Sequence, residues 1–78
     1  MKTVKVLGPG CPKCKKLAAD VEAAARKAGI DVTVEKVVAI DEILAYNVIT
    51  TPALVVDGEL KVVGRLPSEK EIIALLTA

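Results

Sequence analysis

Apolar and polar residues recur with two different periods along this chain, and the periods predict its elements. Residues 2–7 are rich in β-branched side chains and partly alternate, as an extended strand does. After a glycine turn, apolar residues recur at helical spacing over residues 17–28, and charged side chains fill most of the opposite face. Gly29 can take the left-handed conformation that ends such a helix near Ala28. The chain therefore opens with a strand, a glycine turn and a helix.

The middle of the chain continues the same pattern. Ile30 and residues 32–37 predict a second strand. Because a crossover helix connects it to the first strand, the two strands must be parallel and the connection right-handed. The spacing of Ile40, Ile43 and Leu44 then predicts a short second helix, which Asn47 ends in a left-handed conformation. We expect Tyr46 to pack at the edge of this helix.

A hairpin and a last helix complete the prediction. Residues 53–56 and 60–63 are short apolar strands, and the Asp-Gly pair between them tolerates the positive φ that a tight antiparallel turn needs. Ser68 and Glu71 have the spacing of a capping box at the start of a third helix. The predicted order is β-α-β-α-β-β-α, an α/β fold with a four-stranded mixed sheet flanked by three helices.

Length and composition assign these elements to one domain covering residues 1–78. A domain of this size buries only about 60% of the surface that its unfolded chain exposes, so its core must be compact. The residues are 53% hydrophobic, with one aromatic side chain and a formal net charge of +1. Nothing in this balance indicates nucleic-acid binding, and no apolar run has membrane-spanning length or the pattern of a secretory signal. We expect a soluble, cytoplasmic monomer that binds neither nucleic acid nor membrane.

The only two cysteines, Cys11 and Cys14, lie at the junction of the first strand and the first helix. Pro12 suits the first helical position because its φ is already helical and it has no N–H, which makes Cys11 the approximate N-cap. A thiolate at the N-cap faces unpaired N–H groups and the positive end of the helix dipole. We therefore expect Cys11 to be the nucleophile and Cys14 to resolve the mixed disulfide formed on it.

Three lysines, Lys13, Lys15 and Lys16, surround this pair of cysteines in the sequence. They add positive charge near a thiolate, and could tune its pKa or steer a partner. A solvated first turn of a helix explains them equally well, so both interpretations stay open from the sequence.

These residues are part of a larger resemblance. Gly8-Pro9-Gly10-Cys11-Pro12-Lys13-Cys14 is similar to the Cys-x-x-Cys motif of thioredoxins and glutaredoxins, and Thr50-Thr51-Pro52-Ala53 resembles the cis-proline loop of that fold. Residues 64–68 resemble the turn before its last helix. Over nearly its whole length the chain resembles the small glutaredoxin-like thioredoxin family, the redox-active disulfide proteins of archaea and bacteria.

The resemblance implies a thioredoxin-like fold and a thiol–disulfide oxidoreductase that reduces protein disulfides through Cys11 and Cys14. It also implies a cis bond between Thr51 and Pro52. The predicted sheet places the turn before the third strand beside the end of the first, so we expect Thr51 and Pro52 next to Cys11, where they and Pro12 form a substrate-docking surface. The expected electron donor is a flavoprotein of the thioredoxin-reductase type, and no metal or organic cofactor is required.

The chain departs from the larger thioredoxins at two places. Gly10 precedes Cys11 where thioredoxins carry a tryptophan, and Lys5 stands where they carry a buried aspartate. Proton transfer to Cys14 is therefore left to water or to Lys5. No set of residues to cradle glutathione is evident, and Arg65 is interpreted as a surface residue rather than an anion binder. These departures favour a protein dithiol reductase over a glutathione-dependent one.

Two other functions would use the same cysteines. The Gly-x-x-Cys-x-x-Cys pattern also resembles the copper-binding loop of small copper chaperones, but those domains end on a strand, whereas this chain is predicted to end on a helix. A zinc site needs four ligands, and the chain has no histidine to add to its two cysteines. A redox-sensing regulatory domain is the remaining alternative, and the sequence does not separate it from a reductase.

Overall fold

The computed structural model of the chain describes residues 2–10 and 12–77. Its strands form one four-stranded sheet in the order β2-β1-β3-β4. β1 and β2 are parallel, whereas β3 runs antiparallel to both β1 and β4. The predicted mixed sheet is thus confirmed. The strands are β1 Lys2–Leu7, β2 Val32–Val37, β3 Ala53–Val56 and β4 Glu59–Val63.

Three helices complete the predicted order, and they cover both faces of the sheet. They are α1 Pro12–Ala28, α2 Ile40–Ala45 and α3 Glu69–Thr77. Alternate residues of β1 and β3 face opposite sides, because side chains in a strand alternate. Val4, Val6, Leu54 and Val56 pack with apolar side chains of α1 and α3 in a first core. On the other face a second, smaller core packs under α2; its buried members are Leu7, Val37, Ile43, Val48, Ala53 and Val55.

The ends of α1 follow from local chemistry. Pro12 is its first residue, as predicted. At the other end Gly29 has φ 70°, the N–H of Ile30 donates to the carbonyl of Ala25 at 2.9 Å, and that of Gly29 donates to the carbonyl of Arg26. These two bonds form a Schellman motif, which satisfies carbonyls that the helix leaves without an N–H partner.

The end of α2 and the start of α3 show one confirmed prediction and one partial one. Asn47 has φ 61° just beyond α2, the predicted left-handed terminator. At α3 the N–H of Glu71 donates to Ser68 Oγ at 3.2 Å, which is one half of the predicted capping box. The Glu71 carboxylate accepts two hydrogen bonds from Arg65 instead of reaching back to Ser68. Arg65 is thus an exposed surface residue, as predicted, and its ion pair accounts for the missing half of the box.

The hairpin between β3 and β4 turns through Asp57 and Gly58, both at positive φ. This is the signature of a two-residue type I′ turn, whose twist matches that of the strands. Asp57 also ties the turn to β1, because its N–H donates to the carbonyl of Thr3 at 2.8 Å and its carboxylate accepts from the N–H of Thr3 at 2.9 Å. This second bond, above all, holds the pKa of Asp57 below its ordinary value.

The strand directions decide which segments meet. Because β1, β2 and β4 run the same way and β3 runs the opposite way, one end of the sheet collects the residues that follow β1, β2 and β4 and those that precede β3. We call it the site end of the sheet. Its segments are residues 8–10, 38–39, 49–52 and 64–66.

Candidate functional site

The sulfur of Cys14 lies against Gly8 and close to Thr51. Cys14 is on the first turn of α1 and only 4% exposed. A Cβ built on Gly8 would lie 2.1 Å from Cys14 Sγ, 3.0 Å from Cys14 Cβ and 3.7 Å from the Cβ of Thr51. No side chain other than hydrogen fits there, because carbon and sulfur atoms without a bond between them do not approach so closely. Gly8 therefore provides the space that the sulfur occupies.

The loop before β3 is held in place from β4. The Thr51–Pro52 peptide bond is cis, as the family resemblance implied, and Pro52 is buried. The N–H of Gly64 donates to the carbonyl of Pro52 at 2.8 Å. A Cβ on Gly64 would lie 2.8 Å from Thr50 Cγ2, and Gly64 has φ 73°. Both the space and the φ favour glycine at this position.

The predicted site residues are partly brought together. Cys14 and Thr51 lie at the site end, where both border the space beside Gly8, and Pro52 follows Thr51 directly. Pro12 is exposed at the start of α1, two residues before Cys14. Cys11 lies outside the described residues, so its predicted role as nucleophile stays a prediction.

A small cleft opens beside Cys14. Its volume is about 20 Å³, and the residues that line it come from β1, α1 and the segment that ends β2. They are Val6, Gly8, Gly10, Cys14, Lys15, Lys36 and Val38. A volume of about 15 Å³ is needed to admit one water molecule, so the space within the cleft is about that of a single water.

Lys5 does not lie on the same face of the sheet as Cys14. In the β1–β3 ladder Lys5 is opposite Val55, which belongs to the second core, whereas Val6 points to the α1 face and lines the cleft with Cys14. The Lys5 ammonium donates to the hydroxyl of Tyr46 at 3.2 Å, and this bond raises the pKa of Lys5. The expectation that Lys5 could serve as proton donor to Cys14 is therefore wrong, because the sheet separates them.

Large apolar side chains are exposed around the same end of the molecule. Val38 and Ile40 follow β2 and are more than half exposed. Ile49, in the segment that leads to Thr51 and Pro52, is 90% exposed. Single exposed apolar residues need no explanation, but three at one end of a small domain indicate a surface that can be covered.

Neither a metal cluster nor a membrane-spanning helix occurs in the described residues. Over residues 2–10 and 12–77, no three side chains among Cys, Asp and Glu lie close enough together to hold a metal ion. In the same residues, no helix combines the length and the apolar character needed to cross a bilayer.

Two glycines that shape the site, Gly8 and Gly64, were not among the residues predicted for it. Both were recognised only as turn residues or as part of a motif. For Gly64 the sequence does contain a signal, namely a glycine directly after a predicted strand. No local signal exists for the space beside Gly8, because its neighbours Cys14 and Thr51 reach it only through the fold.

The element order, the mixed sheet and the position of Cys14 beside the proline loop define the class: this is an α/β protein with the thioredoxin-like fold. Its sequence matches the family model described as a thioredoxin domain over residues 2–77. It is 38% identical over 77 residues to a protein named thioredoxin from Methanothermobacter thermautotrophicus, a match that covers 99% of this chain and 100% of that relative. A thioredoxin from Methanocaldococcus jannaschii is 35% identical over 72 residues, covering 92% of this chain and 83% of that relative.

The chain therefore belongs to the thioredoxin family. Membership in this family of oxidoreductases supports a thioredoxin-like redox function.

Proposed function

We propose that the protein is a thiol–disulfide oxidoreductase that reduces protein disulfides through Cys11 and Cys14. The observation that carries the proposal is the position of the Cys14 sulfur, which is buried against Gly8 and close to Thr51. A cysteine that is 4% exposed is poorly placed to meet a bulky substrate first. It is well placed to attack a neighbouring sulfur within the protein, which is the role of a resolving thiol.

The reaction then proceeds by two thiol–disulfide exchanges. The Cys11 thiolate attacks one sulfur of the substrate disulfide, and the other substrate sulfur leaves as a thiolate that takes a proton from water. Cys14 loses its proton to water and attacks the Cys11 sulfur, which releases the second substrate sulfur as a thiolate that water protonates in turn. The substrate gains two electrons and two protons, and the protein is left with a Cys11–Cys14 disulfide.

The substrate would dock on the site end of the sheet. An extended segment can lie along Thr51 and Pro52 and pair with backbone groups there, while Pro12 contributes exposed apolar surface. The exposed side chains of Val38 and Ile49 extend this surface. Their area suits a protein substrate better than a small thiol, which would leave them in water.

A two-electron donor must reduce the protein again after each turnover. We take this donor to be a flavoprotein reductase of the thioredoxin-reductase type. The test is to supply such a reductase and its nicotinamide cofactor and to follow the oxidation of that cofactor. No oxidation above the rate without the protein would contradict this choice of donor.

Trapping of mixed disulfides tests the two cysteine roles. If Cys14 resolves the mixed disulfide, Cys14→Ser leaves the substrate bonded to Cys11. A non-reducing gel of this variant mixed with an oxidised protein substrate should then show a covalent complex. Cys11→Ser is the matched control and should trap almost nothing. Equal trapping by the two variants would contradict the assignment of nucleophile and resolver.

A redox titration separates this function from a soft-metal module. Equilibration in dithiol buffers, read by alkylation and mass shift, should give one two-electron transition between about −300 and −120 mV, the range of labile catalytic disulfides. Copper and zinc should be measured per chain after purification under reducing conditions. Stoichiometric metal together with failure to form the disulfide would favour metal binding.

A further inference from the structure

The first turn of α1 differs in charge from the first turns of the other two helices. α2 begins with Asp41 and Glu42, and α3 has Glu69 and Glu71 in its first turn. This is the usual arrangement, because the helix dipole places positive charge at the N-terminus and acidic side chains offset it. α1 has no acidic residue in its first turn.

Lysines occupy the positions where α1 would be expected to carry acids, at residues 13, 15 and 16. Each adds a positive charge to an end that is already positive, which is locally unfavourable. When a chain departs from such a local preference at one helix and follows it at the others, the departure often marks a functional site. The positive charge is partly offset at Lys16, whose ammonium pairs with Asp20 at 3.3 Å.

A lysine from another element joins Lys15. Lys36 is on β2, opposite Val6 of β1, and the parallel pairing of the two strands brings it to the cleft that Lys15 and Cys14 also line. Both lysines are exposed, and no carboxylate in residues 2–10 or 12–77 pairs with either of them. Two unneutralised cations therefore flank the buried sulfur.

A docked substrate can supply an anion that neutralises them at the protein surface. The cleft has a volume of only about 20 Å³, so we expect a carboxylate to meet the two ammonium groups at its mouth and not inside it. A carboxylate side chain on the surface of a docked protein can approach these two exposed lysines without entering the cleft. Val38, which lines the same cleft, offers that protein an apolar contact.

We propose that Lys15 and Lys36 select protein disulfides that have glutamate or aspartate next to the disulfide. The inference rests on the proposed function, since it names the substrate class of the same site. Charges at the rim of an interface act mainly on the rate of association and on its salt dependence. The preference should therefore appear in kcat/KM at low salt and weaken as salt screens the charges.

A competing explanation is that the lysines lower the pKa of the attacking thiol and do not touch the substrate. The two roles separate when substrates differ only in charge. A change in thiol pKa alters the rates with all disulfides alike, so it cancels in the ratio of kcat/KM for two such substrates. A direct contact between lysine and substrate changes that ratio.

The experiment uses two synthetic peptides with the same internal disulfide, one flanked by glutamates and the other by lysines. Their reduction by the whole protein is followed with an excess of a regenerating dithiol, after subtraction of the dithiol's own rate. For the wild type we expect a preference of about tenfold in kcat/KM for the glutamate peptide at low salt, falling at high salt. The double variant Lys15→Glu/Lys36→Glu should abolish or reverse the preference.

Lys70→Glu is the matched control. Lys70 is an exposed lysine on α3 next to Glu69, whose carboxylate pairs with Lys27 in the last turn of α1, at the helix end away from Cys14. This variant changes the net charge by the same amount per residue and should keep the wild-type preference. A loss of preference in Lys70→Glu as large as in the double variant would show that net charge, not the two lysines, decides, and would overturn the inference.

The remaining outcomes are also decisive. Equal kcat/KM for both peptides with the wild-type protein would overturn the inference and leave the proposed function standing. The inference would also fail if the double variant were slower with both peptides by the same factor, which is the result expected of a pKa effect. Reduction of neither peptide by the wild type would contradict the proposed function itself, and the inference with it.

Discussion

Replacing Gly8 by alanine would place a methyl carbon 2.1 Å from Cys14 Sγ and 3.0 Å from Cys14 Cβ. Gly8 is not among the glycines with positive φ, so the backbone itself accepts alanine, and only the lack of space opposes the change. The position is buried, which leaves the new methyl no path to solvent. Either the sulfur of Cys14 or the backbone of Gly8 must move.

Two effects of opposite sign set the change that Gly8→Ala makes in the free energy of unfolding. Alanine reduces the conformational freedom of the unfolded chain, which stabilises the folded state by about 0.4–1 kcal/mol. Adding a methyl to a filled site typically costs about 1–3 kcal/mol. The contact with sulfur is far inside normal separation, so we expect the upper part of that range and a net loss of about 1–2 kcal/mol in the free energy of unfolding. For a domain of this size that lowers Tm by roughly 4–16 °C.

A double-mutant cycle isolates the contact. Gly8→Ala is measured in the wild-type background and in Cys14→Ala, by urea unfolding under reducing conditions. Removing Cys14 Sγ deletes the 2.1 Å contact and leaves those to Cys14 Cβ at 3.0 Å and to Thr51 Cβ at 3.7 Å. Gly8→Ala should then cost at least about 1 kcal/mol less than in the wild type, within the range that contacting residues show. Equal costs in both backgrounds would refute the claim that Gly8 makes room for the sulfur.

Two further predictions concern the loop before β3 and the hairpin. Gly64→Ala combines φ 73° with a Cβ 2.8 Å from Thr50 Cγ2, whereas Gly58→Ala, the control, meets a similar φ in open space. Gly64→Ala should therefore lower the free energy of unfolding by about 1 kcal/mol more than Gly58→Ala does. Equal losses for the two variants in thermal unfolding would contradict the role of the contact with Thr50. Because the hydrogen bond from Thr3 lowers the pKa of Asp57 in the folded state, its carboxylate stabilises the fold above the pKa it has when unfolded, and this contribution is lost as pH falls through the folded-state value. Asp57→Asn should therefore reduce the loss of stability between neutral and acidic pH, and an unchanged pH profile of urea unfolding would count against the pKa shift.

Much of the fold follows from signals that span only a few residues. Pro12 at the start of α1, Gly29 after its end and the Asp57–Gly58 turn each depend on one residue's φ or on the loss of one N–H. These properties belong to the amino acid and to its immediate neighbours, so they can be predicted without knowing the fold. The spacing of apolar residues then predicted whether each element is a strand or a helix, and with that the order of the elements along the chain.

Other expectations failed in part because a residue outside the recognised pattern proved to be the partner. Ser68 and Glu71 have the spacing of a capping box, but Arg65 captures the Glu71 carboxylate and lowers its pKa. Lys5 was a candidate proton donor by its place in the sequence, but strand alternation directs it to Tyr46 on the opposite face of the sheet from Cys14. In both cases local spacing was correct, and the partner was decided elsewhere in the chain.

The sequence by itself determined the kinds of elements, their order, the turns between them and the candidate chemistry of Cys11 and Cys14. Tertiary structure alone decided which residues surround Cys14: Gly8 from the end of β1, Thr51 from the loop before β3 and Lys36 from β2. The physical reason is the range of the interactions. A turn or a helix cap is set within about five residues, whereas the space beside the sulfur exists only after the sheet has brought distant segments to one end.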